Sequence, residues 1–179
     1  MDPNNNDQDL SLGNIFPEVY DQLKLLAHNQ LFKERKDHTF NTTALVHEAY
    51  EKMEPQAGVY RNKSQFFALA AQAMRRILVD YARKKKSEKR GGVRFKITYG
   101  DHNMPMETSG DELLIIHEAL QRLSKLSLRQ AQVVEYWFFG GFNQEEISKI
   151  LDVSLPTVRR DWRLARAWLS REIKKEIAI

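Results

Sequence analysis

Apolar residues recur every three or four positions along most of this 179-residue chain, and this helical spacing restricts the fold more than any other feature. The first such segment runs from Ile15 to Leu26 and ends at a polar stretch, residues 33–38. The second begins near Asn41, where Asn and Thr side chains can cap a helix, and ends before Pro55. Since no strand-like alternation is expected to compete, the sequence predicts an all-α fold.

A third and longer helix is predicted over residues 64–86. The next segment, residues 87–110, contains Gly and Pro without sustained periodicity, which is typical of a linker. We therefore predict two small helical domains, residues 10–86 and 111–179, joined by a flexible linker over residues 87–110. Each domain is long enough to close a modest core of its own.

Four further helices are predicted in the second domain. Ser127 and Asn143 are each followed three residues later by Gln or Glu, the spacing of a capping box at a helix start. A three-residue turn, residues 152–154, separates the last two helices, and Pro156 lies in the first turn of the final one. Helix, short turn and helix form the helix-turn-helix arrangement, whose second helix enters the major groove of DNA.

Apolar and basic side chains separate on the final helix. Val158, Trp162, Ala165 and Leu169 recur at helical spacing and are expected to face the preceding helix. The other face is rich in guanidinium groups, which bind guanine edges or phosphates, although a solvated face on an ordinary surface helix is the alternative. The residues predicted to contact DNA are Ser154, Pro156, Thr157, Arg159, Arg160, Arg163 and Arg166.

Positive charge is concentrated in the middle of the chain. Residues 81–110 hold 8 Lys and Arg against 3 Asp and Glu, whereas residues 1–80 hold 9 against 11 and residues 111–179 hold 11 against 10. The basic run over residues 83–86 continues the third helix and would bind DNA phosphates without reading sequence. A segment that merely keeps a linker solvated is the alternative interpretation.

The sequence predicts no catalytic residue, no metal ion and no cofactor. Cys is absent, which excludes a disulfide framework, a thiolate zinc site and a cysteine nucleophile. The five His lack metal-binding spacing, and His47-Glu48 lacks the second His of a zinc protease helix. The first residues are polar and acidic, and no apolar stretch approaches the roughly 18 residues of a membrane span, so a cytoplasmic protein without a membrane partner is expected.

Four features carry a resemblance to a known family: residues 43–50 (TALVHEAY), residues 66–83 with FFALAA and MRRILVDYAR, the basic segment before Gly91-Gly92, and the C-terminal helix-turn-helix. Over nearly its whole length the chain resembles the extracytoplasmic-function (ECF) group of the sigma-70 family of bacterial RNA polymerase sigma factors. The resemblance implies a sigma region 2-like first domain and a sigma region 4-like second domain. It further implies a non-enzymatic factor that binds core polymerase, recognises a bipartite promoter and helps to melt it.

The resemblance also implies partners and site residues. The second helix would bind the clamp of the largest polymerase subunit through Leu45, His47, Glu48 and Tyr50, and the flap region is a further expected polymerase contact. The loop over residues 59–65 would hold a base flipped out of the downstream promoter element; unstacking a base costs on the order of a few kcal/mol, which stacking and hydrogen bonds can offset. The residues assigned to that element and to melting are Tyr60, Arg61, Asn62, Lys63, Arg75, Arg76, Asp80, Arg83, Lys84, Lys85 and Lys86.

Promoter DNA, both double-stranded and melted, and an anti-sigma or other recruiting protein complete the implied partners. The chain departs from the family pattern at Asp152, where Gly is usual in the turn, and at Phe66 and Phe67, where Trp is common. Asp tolerates the left-handed backbone conformation, so the turn is expected to form. Trp168 falls off the inner face of the final helix, and its role is left open.

Two other functions use the same helix-turn-helix. A polymerase-independent repressor or activator would normally dimerise to match two half-sites. A DNA-processing enzyme that docks through this motif would need clustered carboxylates or a nucleophilic Tyr or Ser. Two weak DNA-binding domains on one linker instead favour the sigma interpretation, since a polymerase that fixes their spacing raises their effective concentration. Side-chain identity does not predict the promoter sequence.

Overall fold

The computed structural model describes residues 20–28, 42–53, 63–87, 94–99 and 104–177. The helices within these ranges are α1 (residues 20–28), α2 (Thr42–Met53), α3 (Lys63–Ser87), α4 (Gly110–Leu126), α5 (Leu128–Phe138), α6 (Gln144–Leu151) and α7 (Leu155–Ile177). Two strands, β1 (Arg94–Tyr99) and β2 (Met104–Ser109), lie between α3 and α4. The predicted all-α class is confirmed. None of the described helices combines the length and the apolarity that a membrane crossing requires.

The first three helices pack through apolar faces at helical spacing. The buried face of α2 consists of Leu45, Val46, Ala49 and Met53, and the predicted bounds of α2 and α3 agree with the observed ones to within two residues. Much of α3 is buried through small Ala side chains, which allow neighbouring helices to approach closely. Phe66 is fully buried and its ring meets Phe67 edge to face, so Phe66 belongs to the core.

The expectation that residues 87–110 contain no strand is wrong. β1 pairs with β2 in an antiparallel hairpin in which Arg94 lies opposite Ser109 and Tyr99 opposite Met104. The sequence of β1, RFKITY, does alternate polar and apolar residues, but this alternation covers only six residues inside a Gly-containing segment. Pro105 is compatible with the pairing because each strand of a two-stranded hairpin has a free edge.

The hairpin continues directly into α4 through Ser109, the last residue of β2 and the N-cap of α4. The Glu112 N–H donates to Ser109 Oγ (3.2 Å), and the Ser109 N–H donates to Glu112 Oε2 (2.8 Å). This reciprocal capping box satisfies two backbone donors that the first turn of a helix leaves unpaired. The hairpin and α4 therefore have no loop between them.

The predicted cap residues of the C-terminal helices are confirmed. Ser127 accepts a hydrogen bond from the Gln130 N–H at the start of α5, and its own N–H donates to the Leu123 carbonyl at the end of α4 (2.8 Å). Asn143 and Glu146 form the full capping box of α6. The capping residues Ser127 and Asn143 thus mark the end of α4 and the starts of α5 and α6.

The buried side chains form one cluster that extends from Leu23 in α1 to Leu169 in α7. Its continuity arises at α3, which packs against α2 on one side and against α4, α5 and α6 on the other. The hairpin lies beside α4 and α5. In this conformation the N-terminal helices (α1–α3) and the C-terminal helices (α4–α7) therefore share an interface.

Candidate nucleic-acid interface

The turn between α6 and α7 contains the three residues that the sequence predicts. Asp152 follows the last residue of α6 and adopts the left-handed conformation, with φ 52° and ψ 49°. The Val153 N–H donates to the Ser148 carbonyl (3.0 Å), which closes the end of α6. The turn thus forms with Asp where Gly would carry less strain.

Ser154 organises the first turn of α7. Its hydroxyl accepts from the Thr157 N–H (3.3 Å) and lies 2.8 Å from the Thr157 hydroxyl, while its carbonyl accepts from the Val158 N–H (3.1 Å). Pro156 is exposed in this turn, where its missing N–H costs no hydrogen bond. Hydrogen bonds within its own first turn therefore fix the start of α7.

The inner face of α7 is the one that the sequence predicts. Val158, Trp162, Ala165 and Leu169 are buried, and Ile147 of α6 is buried with them. The Trp162 ring lies 5.1 Å from that of Trp137 and 5.5 Å from that of Phe138, between ring centroids. Aromatic packing of this kind fixes the rotation of α7 about its axis.

The opposite face of α7 presents the predicted guanidinium groups to solvent. Arg159, Arg160, Arg163 and Arg166 are all exposed. Within the part of the chain that the structure describes, no carboxylate forms an ion pair with any of the four. Their donors are consequently available to an anionic partner.

The acid next to these arginines points inward. Asp161 is only 2% exposed, and it accepts from Arg129 of α5, with Arg129 Nε and Asp161 Oδ2 2.5 Å apart. This hydrogen bond raises the pKa of Arg129 above its ordinary value. Sequence reasoning missed Asp161, although its position three residues after Val158 places it on the inner face.

A second ionic contact holds the far half of α7. Arg122 of α4 pairs with Glu172 through Nε (3.1 Å) and with Glu176 through Nη2 (3.0 Å). Trp168, whose role the sequence left open, is half-buried against the core. α7 is therefore attached to α4 and α5 along most of its length, and its arginine face has a defined orientation.

The basic end of α3 lies on the surface. Arg76, Arg83, Lys84 and Lys86 are exposed and Lys85 is half-buried above the Tyr81 ring. Asp80 interrupts the positive surface and lies 3.7 Å from Arg83 and 3.8 Å from Lys52, in contacts between exposed groups. Lys63 is exposed at the first residue of α3, whereas the predicted base-binding residues Tyr60, Arg61 and Asn62 lie outside the described residues.

The family model of the ECF sigma factors matches residues 4–175, almost the whole chain. The chain belongs to the ECF sigma factor family. It is therefore an RNA polymerase sigma factor, a transcription regulator that binds core polymerase and promoter DNA. No curated protein matches the sequence at a significant level.

Arg75 of this sigma factor is a predicted DNA-binding residue that the structure places in the interior. It is 6% exposed, and its Nε lies 2.6 Å from Glu135 Oε1 of α5. Its Nη1 contacts His117 Nδ1 of α4, and its guanidinium lies 5.5 Å from the centroid of the Phe139 ring. In this conformation Arg75 joins α3 to α4 and α5 of the sigma factor and is almost fully shielded from solvent.

The residues assigned to the polymerase interface are divided between surface and core. His47 is exposed, and Glu48 is partly exposed and pairs with Lys52 (3.4 Å). Tyr50 is half-buried, and Leu45 is completely buried. Of these four residues, His47 and Glu48 thus lie on the outward face of α2, whereas Leu45 packs that helix against the core.

The described part of the sigma factor does not contain a convergent group of His, Asp and Glu that could hold a metal ion. A shallow apolar cleft of about 170 Å³ lies between α1, α3 and the turn after α5. This volume is below the roughly 300 Å³ at which small-molecule sites begin. The cleft is lined by Gln22, Leu25, Leu26, Phe67, Gly140 and Phe142.

Proposed function

We propose that this sigma factor recognises a bipartite promoter through two DNA-binding surfaces, one on α7 and one on α3. Residues 10–86 would serve as the region 2-like domain and residues 111–179 as the region 4-like domain, with residues 87–110 connecting them. The observation that carries the proposal is the exposed arginine face of α7, from which the nearby acid Asp161 is turned away.

The α7 surface reads the upstream promoter element. Arg159, Arg160, Arg163 and Arg166 can donate in pairs to guanine edges or clamp phosphates, and each good bidentate base contact discriminates by about 1–3 kcal/mol. Ser154, Pro156 and Thr157 lie at the helix start, where backbone N–H groups favour phosphate contact. The packing of Trp162 supports this role because it fixes the face of α7 that meets the groove.

The α3 surface binds and helps to open the downstream element. Arg76, Arg83, Lys84 and Lys86 supply exposed cations that release counterions from DNA, and Lys63 lies beside the loop that would hold the flipped base. In that loop Tyr60, Arg61 and Asn62 offer one ring for stacking and several hydrogen-bonding groups. Half-buried Lys85 and the acid Asp80 contribute by shaping the same surface.

The polymerase surface lies on α2. His47 and Glu48 face outward, and Leu45 and Tyr50 hold the helix against the core, which supports binding of α2 to the clamp of the largest subunit. The C-terminal domain would contact the flap region. The working location is the cytoplasm, at the nucleoid, and an anti-sigma or other recruiting protein would control access to polymerase.

Run-off transcription from a genomic-fragment library tests the proposal. Core polymerase is supplied with the wild-type protein, with Arg160→Ala, or with the control Arg171→Ala, which changes an exposed arginine near the other end of α7. We expect discrete start sites that require the protein, with Arg160→Ala selectively losing those that share an upstream sequence. Equal transcription by the three proteins would refute the role of α7, and tight duplex binding without new start sites would indicate a polymerase-independent repressor.

A further inference from the structure

One large apolar side chain lies among the arginines of α7. Leu164 is 50% exposed, and among the side chains of this helix that the structure describes it is the most exposed large apolar one. Arg163 directly precedes it, and Arg160 lies one turn before it. A lone exposed leucine on an ordinary surface needs no explanation, but Leu164 lies within the face to which we assign the reading of DNA. It therefore contributes to what that face can bind.

Leu164 faces the same side of α7 as the predicted DNA contacts Thr157 and Arg160. Successive residues of an α-helix are rotated by about 100°, so Leu164 is turned by about 40° from Arg160 and by about 20° from Thr157. It is turned by about 160° from the buried Trp162, whereas the predicted contact Arg166 is turned from Trp162 by only about 40°. An orientation of α7 that directs Arg160 into the major groove therefore directs Leu164 there as well.

An apolar side chain in the major groove meets base edges that are mostly polar. Guanine, adenine and cytosine present hydrogen-bond donors and acceptors there, and a leucine that covers them displaces water without supplying a partner. Thymine differs because it also presents its C5-methyl group in this groove. Contact between Leu164 and that methyl group removes apolar surface of both partners from water. The thymine methyl is therefore the group in the groove that Leu164 fits.

We propose that Leu164 is a specificity-determining residue of this sigma factor, which selects a thymine in the upstream promoter element by contact with its methyl group. The inference rests on the proposed role of α7 in reading that element. Four residues advance an α-helix by about 6 Å, and successive base pairs are about 3.4 Å apart. The selected thymine therefore lies within about two base pairs of the position that Arg160 contacts.

Replacement of thymine by deoxyuridine tests this contact, because it removes the methyl group and leaves the hydrogen-bonding edge of the base unchanged. The probe is a fluorescent duplex with an upstream element mapped by run-off transcription, in which each thymine of either strand is replaced in turn. We expect one replacement to weaken binding by the wild-type holoenzyme about three- to fourfold, as for one apolar group returned to water. With Leu164→Ala, the thymine and deoxyuridine DNAs should bind equally at that position.

Two further variants and a salt series separate the methyl contact from other effects. Leu164→Met keeps a large apolar side chain and should keep the preference for thymine; Met and Ala are both good helix formers, so α7 is preserved in either variant. The matched control Leu128→Ala truncates a leucine that is 64% exposed at the start of α5 and should also keep the preference. The affinity ratio between the two DNAs should stay constant as salt rises, because an apolar contact releases no counterions.

Arg160→Ala distinguishes a failure of this inference from a failure of the proposed function. If Arg160→Ala loses the preference for the upstream element but deoxyuridine affects wild type and Leu164→Ala equally at every position, only the role of Leu164 is overturned. Mapped elements that share no A·T pair within about two base pairs of the position read by Arg160 would overturn it as well. If Arg160→Ala keeps the full preference, α7 does not read the element, and both proposals fail.

Discussion

Arg129 of α5 donates to the buried carboxylate of Asp161 in α7, and this contact turns the acid of the arginine-rich helix away from its exposed face. An outward carboxylate at this position would repel DNA phosphates and pair with a neighbouring arginine. The contact therefore has two effects. It joins α5 to α7, and it leaves the four exposed guanidinium groups without an ion-paired carboxylate among the residues that the structure describes.

Loss of this contact should destabilise the C-terminal helices. Asp161→Ala removes the acceptor of Arg129, and we expect the melting temperature to fall by about 5 °C, as for loss of a charge-assisted hydrogen bond to a buried carboxylate. Circular dichroism measures the effect. The control Arg171→Ala changes an exposed residue of the same helix and should shift the melting temperature by less than about 2 °C. Equal melting temperatures for Asp161→Ala and wild type would contradict the inference.

Removal of Arg160 should reduce sequence recognition more than general DNA affinity. We expect Arg160→Ala to lose about 1–3 kcal/mol of preference for an upstream element over a mutated one, since it removes a bidentate donor to a base edge. Competition binding with the holoenzyme measures this preference. A loss of equal size on both DNAs would assign Arg160 to phosphate contact.

Neutralisation of the basic end of α3 should act differently. Replacement of Lys84, Lys85 and Lys86 by Ala should weaken binding to all sequences and lower the slope of log K against log salt by about 2 to 3, one unit for each lost phosphate contact. Titrations at several salt concentrations measure the slope. An unchanged slope would remove the three lysines from the DNA interface.

Acid should weaken the folded state through His117. Its pKa falls from the ordinary 6.5 to about 4 because of burial and the neighbouring charges of Arg75, Arg83 and Arg76, which outweigh that of Asp80. Between these values the unfolded chain binds a proton that the folded chain excludes. The free energy of unfolding should therefore fall as the pH drops from about 6.5 to about 4, by on the order of 3 kcal/mol.

The variant His117→Gln isolates this contribution, since Gln keeps a hydrogen-bond acceptor but does not titrate. Urea unfolding at several pH values should give a shallower pH dependence for His117→Gln than for wild type, while acidic groups titrate alike in both. Parallel curves would show that His117 binds its proton equally in both states.

Two adjacent glycines after α5 should respond differently to alanine. A Cβ at Gly140 would lie 2.5 Å from the Phe142 ring and 2.6 Å from the Tyr136 carbonyl oxygen, so Gly140→Ala should destabilise the protein by about 1–3 kcal/mol. At Gly141 the Cβ meets open space, and only the positive φ of 68° opposes it, at about 1 kcal/mol. Urea unfolding compares the two variants, and an equal loss would contradict the predicted overlap.

The sequence predicted those parts of the fold that are encoded locally. The helices from α2 to α7 follow from apolar periodicity and from caps such as Ser127 and Asn143, because both signals lie within a few residues of the feature that they produce. The hairpin was missed since its alternation is short. The arginine face of α7 was predicted because one helix and its periodicity define it.

Contacts between distant segments could not be predicted in this way. Arg75 and Glu135 are 60 residues apart, and nothing near either residue indicates that they meet. The sequence therefore assigned Arg75 to a surface, whereas its burial depends on how α3 packs against α5. Asp161 was partly predictable, because its position on the inner face indicates burial, but its partner Arg129 was not.

Since Ser109 ends β2 and caps α4, the hairpin is attached directly to the C-terminal helices and is expected to move with them. If the two halves separate, only six residues (88–93) join Ser87 to Arg94, whereas twenty-two (88–109) separate α3 from α4. A chain of six residues between these two ends spans at most about 25 Å. The C-terminal helices would therefore search only a small volume around the end of α3. This limits the lengths of spacer DNA that one molecule can tolerate between its two promoter elements.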